Sequence, residues 1–431
     1  MKKIFLLSPL LLFPMSISFA EETPMNTIAE QYVKLVLALG QYDADYVDSY
    51  YGPEAWKDEA QKKKLPLTDI IAEASKMKTA LQSIPLPEND ELQRLRKIYL
   101  EKQLSALIAK AEMLGGKKYS FDEESKKLFD AAAPVFSEEH FKELLKELNA
   151  ALPKGNGTLQ QRYEAFHNQF IIPREKIDTV FTTAIRECRK RTAEHIRLAE
   201  NENFVVEYVT NKAWSGYNWY KGNNYSVIQV NVDFPIFIDR AVDLAAHEGY
   251  PGHHVYNSLL ESELMRKRGW IEFSIYPLFS PQSLIAEGSA NYGIEVVLPG
   301  HERVEFEKKY LFPLAGLDSS RADQFYAIQA LVGKLSYAGN EAARGYLNGT
   351  ITKDKAVDWL VTYALMPKER AVQRIAFIEK YRSYVINYNY GQDLVKKYAE
   401  EKVGPGNDPD MRWKIFAELL SSPRLPSELK K

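Results

Sequence analysis

DFPIFIDRAVDLAAHEGYPGHHVYN, residues 233–257, is the stretch on which the fold of this chain turns. Its first part is apolar at helical spacing and reads as helix from about Pro235, which places His247 and Glu248 on a helical turn. Three of the seven histidines, His247, His253 and His254, follow within a few positions of one another. A His-Glu pair with a second His soon after is the pattern of zinc peptidases, in which two imidazoles bind the metal and the Glu is the general base. The usual separation is four residues, because i and i+4 share a helix face.

Here the separation is longer, and helix geometry shows what that requires. On an unbroken helix the i+6 residue lies roughly 120° round and about 9 Å along the axis, and the i+7 residue about 10.5 Å along. Neither can share one ion with His247 through bonds of about 2.1 Å. The chain must therefore break, and Pro251-Gly252 is the place. Pro removes a helix hydrogen bond and restricts Tyr250, and Gly permits a left-handed turn. The break brings His253, or in its stead His254, back beside His247.

A third ligand should be a carboxylate on a later helix, and Glu287 in IAEGSANYGIE is the candidate. Asn291, at i+4 from Glu287, and Asp243, one turn before His247, are placed to hold ligands in position. Gly288 and Ala290 are small enough for close helix packing. Tyr292 and Tyr388 are candidate donors to an oxyanion, and whichever of His253 and His254 is not a ligand is expected to support one or to touch substrate.

Upstream, NFVVEYVT and NYSVIQVNV are rich in Val and Tyr and read as strands of a small sheet leading into the metal-site helix. The second could accept an extended peptide along a free edge. Elsewhere the pattern is helical. TIAEQYVKLVLALGQYD spaces Ile28, Val33, Leu35, Val36 and Leu39 near a 3.6-residue period. SEEHFKELLKELNAAL opens on the N-cap Ser137 and carries Phe141, Leu144, Leu145 and Leu148 on one face. Pro173 opens a long helix, PKGNGT is a loop, and Thr352 caps DKAVDWLVTYAL. The expectation is a mainly α fold with a small β-sheet beside the active-site helix.

The chain has 431 residues, 45% hydrophobic and 26% charged, which is an ordinary globular composition. Its 56 basic and 58 acidic residues leave a net charge of −2, so nothing suggests nucleic acid as a partner. MKKIFLLSPLLLFPMSISFA, residues 1–20, has a basic start, a short apolar run and a small-x-small end, and reads as a cleavable signal peptide. The mature chain, 21–431, is then periplasmic or secreted, either as one helical unit or as two lobes, about 21–200 and 201–431, around a cleft. No segment is apolar enough for a membrane span. Cys188 is the single cysteine, so no intrachain disulfide can form, and its helical setting in RECRKR suits an inert packed residue.

HEGYPGHH followed by AEGSANYGIE resembles the bacterial proteins grouped as domain of unknown function 885. Their pattern is H-E-x-x-P-G-H and then E-G-x-x-x-Y, met here by His247, Glu248, Pro251, Gly252 and His253, then Glu287, Gly288 and Tyr292. YVDSYYGPEAW and the YNYG of residues 388–391 are similar too. The resemblance implies a large helical, zincin-like fold and a zinc-metallopeptidase-like protein, and it favours His253 over His254 as ligand. The stretch QRIAFIEKYRSYVINYNYG departs from the acid and Arg-Tyr pair that the family tends to carry before its tyrosine. No role is therefore assigned to Arg374 or Arg382.

Together these readings predict one Zn²⁺ held by His247, His253 and Glu287, with Glu248 taking a proton from water and the amide of a peptide as substrate. Two alternatives stay open: a zinc amidase or deacylase acting on N-acyl amino acids, and a non-catalytic periplasmic binding protein with a vestigial metal site. A serine hydrolase is disfavoured, since no G-x-S-x-G occurs.

Overall fold

Helices form where apolar residues recur at helical spacing and a side chain caps the first turn. Thr23 Oγ1 accepts the Asn26 amide at 3.2 Å at the start of Pro24–Leu39, whose Ile28, Val33, Val36 and Leu39 are buried. Ser137 and Thr352 cap Glu138–Ala151 and Lys353–Tyr363 in the same way, each accepting an amide three residues on at 3.3 Å. Within Glu138–Ala151, Phe141 and Leu148 are fully buried while Leu144 and Leu145 pack at the margin. The computed structural model describes residues 23–86, 89–212 and 214–430, and the signal-peptide reading of residues 1–20 lies outside them. The fold is mainly α, with an apolar core running from Met25 to Leu429. Among the described residues no helix is long and apolar enough to cross a membrane.

Two small sheets interrupt the helices. In the first, β1 (Val47–Tyr50) pairs antiparallel with β5 (Ile275–Pro277), with Tyr50 opposite Ile275. In the second, β2 (Asn203–Val209), β3 (Gly216–Tyr220) and β4 (Tyr225–Asn231) lie in the order β2-β4-β3. NYSVIQVNV is thus the central strand, parallel to β2 and antiparallel to β3, and both of its edges are paired. That overturns the expectation that it offers a free edge to a peptide. Alternation along a strand reports which face is buried, not which neighbours fill its ladder. The metal-site helix also starts later than Pro235, at Asp239. Before it, the Ile236 carbonyl accepts the Ile172 amide at 2.8 Å and Phe237 bridges to Ile171, so this stretch is extended.

Two contacts set the frame of the candidate site. Helices Pro281–Val297 and Ile386–Val403 meet at Gly288 and Gly391: a Cβ on Gly391 would sit 2.8 Å from the Leu284 carbonyl oxygen, and one on Gly288 would collide with the Gly391 backbone. Only paired glycines allow that approach. The turn into the second helix is held by buried Glu124, whose carboxylate accepts Arg382 Nε at 2.6 Å, the Ser383 amide at 3.1 Å and Ser383 Oγ at 2.7 Å. Arg382, at φ 55°, thereby fixes the turn that presents Tyr384.

Candidate metal centre

The break required by the histidine spacing is present. Helix Asp239–Leu244 widens into a π turn over Ala245–Gly249, where the Tyr250 amide donates to the Ala245 carbonyl at 3.0 Å. The chain then passes through Pro251 and Gly252, and a new helix, His253–Leu259, begins. Gly252 is not left-handed as expected: its φ is −76°. It is glycine for another reason, because a Cβ there would collide with the His247 carbonyl. Its amide closes the turn onto the Ala246 carbonyl at 2.9 Å.

This turn brings His253 Nε2 to 3.1 Å from His247 Nε2, with the rings nearly perpendicular at 88°. Glu287, from helix Pro281–Val297, places Oε2 3.2 Å from His247 Nε2 and 3.7 Å from His253 Nε2. That buried oxygen has no hydrogen-bond donor among the described residues. Three ligand atoms around a tetrahedral Zn²⁺ with bonds of about 2.0–2.2 Å lie roughly 3.3 Å apart. The three atoms here form a triangle of that size, so the donor set fits such an ion. The side chains of His247, His253 and Glu287 are 13%, 12% and 9% exposed, which leaves them open to the cavity but shielded from bulk water.

Neighbouring groups orient each donor. Asn291 Nδ2 donates to the Tyr388 carbonyl at 2.7 Å, which turns Asn291 Oδ1 toward His247 Nδ1 at 2.9 Å. Nδ1 must then carry the proton, and the lone pair of His247 lies on Nε2, facing Glu287 and His253. Tyr384 donates to Glu287 Oε1 at 2.7 Å, leaving Oε2 free for the centre. Burial raises the Glu287 carboxyl, but the positive charge and hydrogen bonds of His253 and His247, when these imidazoles are protonated, outweigh it and hold the group well below the usual carboxylate range.

Glu248 is buried beside the centre, and its main-chain oxygen accepts Asn218 Nδ2 of β3 at 2.7 Å. Burial, aided by the charge of Glu287 and opposed by His253, pushes its carboxyl up to about 7. Tyr388 lines the same cavity, its ring 5.9 Å from the Arg374 guanidinium.

Three expected residues are not brought to the ligand atoms. His254 is fully buried, with Nδ1 2.8 Å from Ser226 Oγ and Nε2 3.2 Å from Glu202 Oε2, so neither nitrogen is available as a ligand. It instead anchors the turn together with Tyr250, which donates to the same Glu202 oxygen at 2.6 Å. Tyr292 packs edge-on against Phe416. As i+5 it lies roughly 140° round the helix from Glu287, whereas Asn291 at i+4 is about 40° away. Asp243 faces the cavity but pairs with Arg240 at 3.1 Å and Arg303 at 2.8 Å rather than with His247.

The cavity over the centre encloses about 870 Å³. Sequence reasoning missed several of its residues. Asp48 of β1, inside YVDSYYGPEAW, is hydrogen-bonded by Tyr217 and reaches the cavity from the far end of the chain. Its partners are separated from it by more than a hundred and fifty positions, so no local spacing reveals it. Tyr384 and Arg374 were visible only as residues of the YNYG approach segment.

No family model matches the chain, and no curated protein matches it. Among solved structures the chain is similar to a candidate lipoprotein from Colwellia psychrerythraea, at 16% identity over 86% of this chain and 70% of that one, with a TM-score of 0.50. It is also similar to a candidate lipoprotein of unknown function from Shewanella oneidensis, at 12% identity over 96% of this chain and 88% of that one, with a TM-score of 0.47. The first likeness is one of fold alone.

Proposed function

We propose that this protein is a zinc-dependent hydrolase that cleaves an amide bond, with a peptide as the favoured substrate. The observation that carries the proposal is the convergence of His247 Nε2, His253 Nε2 and Glu287 Oε2, the last without a donor of its own, beside a buried Glu248. A buried carboxylate oxygen left unbonded between two imidazoles is costly without a cation to share. Zn²⁺ bound there supplies Lewis acidity, polarising a carbonyl and making water acidic enough to lose a proton near neutral pH.

The protein's own groups then divide the work. Glu248 takes the proton of the attacking water and returns it to the leaving nitrogen, so that the C–N bond breaks as C–O forms and one water is consumed. Asn291 and Tyr384 keep His247 and Glu287 in place through the reaction. Tyr388, on the cavity wall, is the donor offered to the oxygen on which charge develops. A cavity of about 870 Å³ accommodates a short peptide. Membership of the domain of unknown function 885 family and export through the leader at residues 1–20 belong to the same proposal and rest on the sequence motifs.

Elemental analysis and a peptide-library digest test this reading together. Glu248→Gln should hold as much zinc as the natural chain and lose turnover by several orders of magnitude. Retained turnover, or a natural chain with no affinity for zinc, counts against it.

A further inference from the structure

Arginines enclosed in a protein normally meet a carboxylate, because a buried cation without one is costly. Buried Arg96 binds Glu272, and Arg303 binds Asp243 and Glu307. Arg370 and Arg374, half-buried and one turn apart on helix Lys368–Tyr381, both line the cavity without such a partner. Among the described residues Arg374 has no hydrogen-bond acceptor and no ion pair. Its contacts are the faces of Phe377 at 4.7 Å and Tyr388 at 5.9 Å. Arg370 lies 3.9 Å over Phe234 and bonds only the neutral amide of Gln373, at 3.2 Å.

The helix offers them no relief. Positions three and four residues from Arg374 are Arg370, Ala371, Phe377 and Ile378, so no acid shares its face and a like charge does. Of the acids of the cavity wall, Asp243 pairs with Arg240 and Arg303, Asp48 accepts Tyr217, Glu164 accepts Gln160, and Glu248 and Glu287 stand at the metal end; none makes an ion pair with Arg370 or Arg374. Glu369 is solvent-exposed and makes no ion pair with either arginine. Burial pushes both guanidinium groups down from the usual arginine value, yet arginine stays charged in proteins. Aromatic faces orient such a cation without neutralising it, and leave its planar N–H fork free for a carboxylate.

Position says which carboxylate. Tyr388 touches Arg374 with its ring and holds Asn291, the His247 partner, with its main-chain oxygen. The arginine fork therefore opens into the same cavity as the metal centre, with Tyr388 in contact with both. Resting on the hydrolase reading above, we infer that Arg374, backed by Arg370, binds the free α-carboxylate of the residue on the leaving side of the scissile amide. The substrate class is then an amide of a C-terminal amino acid, and the action is from the chain end. A peptide and an N-acyl amino acid share that chemistry.

The test uses the full Glu248→Gln chain, with its zinc content measured on the same sample, titrated calorimetrically with three probes. These are N-acetyl-phenylalanyl-alanine, its C-terminal carboxamide, and N-octanoyl-alanine. The acid should bind roughly tenfold or more tighter than the carboxamide, and Arg374→Gln on that background should reduce the difference to about twofold or less, the change expected for loss of a charge-assisted fork. The stronger of the two acids identifies the source. Equal binding of acid and carboxamide, or no binding of either, overturns the inference even if the arginine variant fails to fold, and so does a preference that survives in Arg374→Gln. A sample that holds no zinc and keeps the acid preference overturns the hydrolase reading and leaves the carboxylate anchor standing.

Discussion

Replacing Asn291 by Ala removes two hydrogen bonds at once: the 2.9 Å contact to His247 Nδ1 and the 2.7 Å bond to the Tyr388 carbonyl. The first selects the His247 tautomer whose Nε2 faces the centre, and the second ties the two helices that carry Glu287 and Tyr388. Loss of such an outer partner typically lowers metal affinity 10–100-fold, which corresponds to about 1.4–2.7 kcal/mol. The metal-free fold should lose about 1–2 kcal/mol, since each bond contributes about 1 kcal/mol net. A competitive titration of zinc against a chromophoric chelator reads the first quantity, and urea unfolding of the metal-free chain reads the second. Zinc affinity within twofold of the natural chain, in a variant that is folded, would show that Asn291 does not orient His247.

Gly391→Ala puts a methyl group 2.8 Å from the Leu284 carbonyl and should cost about 1–3 kcal/mol of stability, visible as a lower Tm; an unchanged Tm refutes the close glycine crossing. For Glu202, burial raises the carboxyl but hydrogen bonds from His254, Tyr250 and Arg189 outweigh it and bring it down to about 2. A lowered carboxyl stabilises the fold above its ordinary value and loses that contribution as pH falls from about 4.5 through about 2. The natural chain should therefore lose more stability across that interval than Glu202→Gln, and parallel pH profiles would contradict the assignment. Burial pushes the Cys188 thiol up to about 12, so it should resist a thiol reagent until the chain unfolds; labelling of the native protein within seconds would contradict its burial.

Much of this arrangement was readable in the residues because it is governed by short-range geometry. The six-residue gap between His247 and His253 demands a break, and Pro251-Gly252 provides one. The i+4 spacing of Glu287 and Asn291 puts both on one face. What stayed hidden depends on partners far away in the chain. His254 looks like a ligand until Ser226 and Glu202 are seen to occupy both of its nitrogens. β3, whose GYNWY carries a Gly and an Asn, gives little strand signal, yet it makes β4 central. Tyr384 is one of 26 tyrosines and stands out only once the glycine crossing sets it against Glu287. Arg374 had no assignable role in the sequence because an absent partner cannot be read from one.

X-ray absorption at the zinc edge of the purified, zinc-loaded chain addresses the metal centre most directly. Two imidazole nitrogens at about 2.0–2.1 Å and one carboxylate oxygen at about 2.0–2.2 Å are expected, at one ion per chain. A spectrum with a single imidazole, or a chain that takes up no zinc, would contradict the site built from His247, His253 and Glu287.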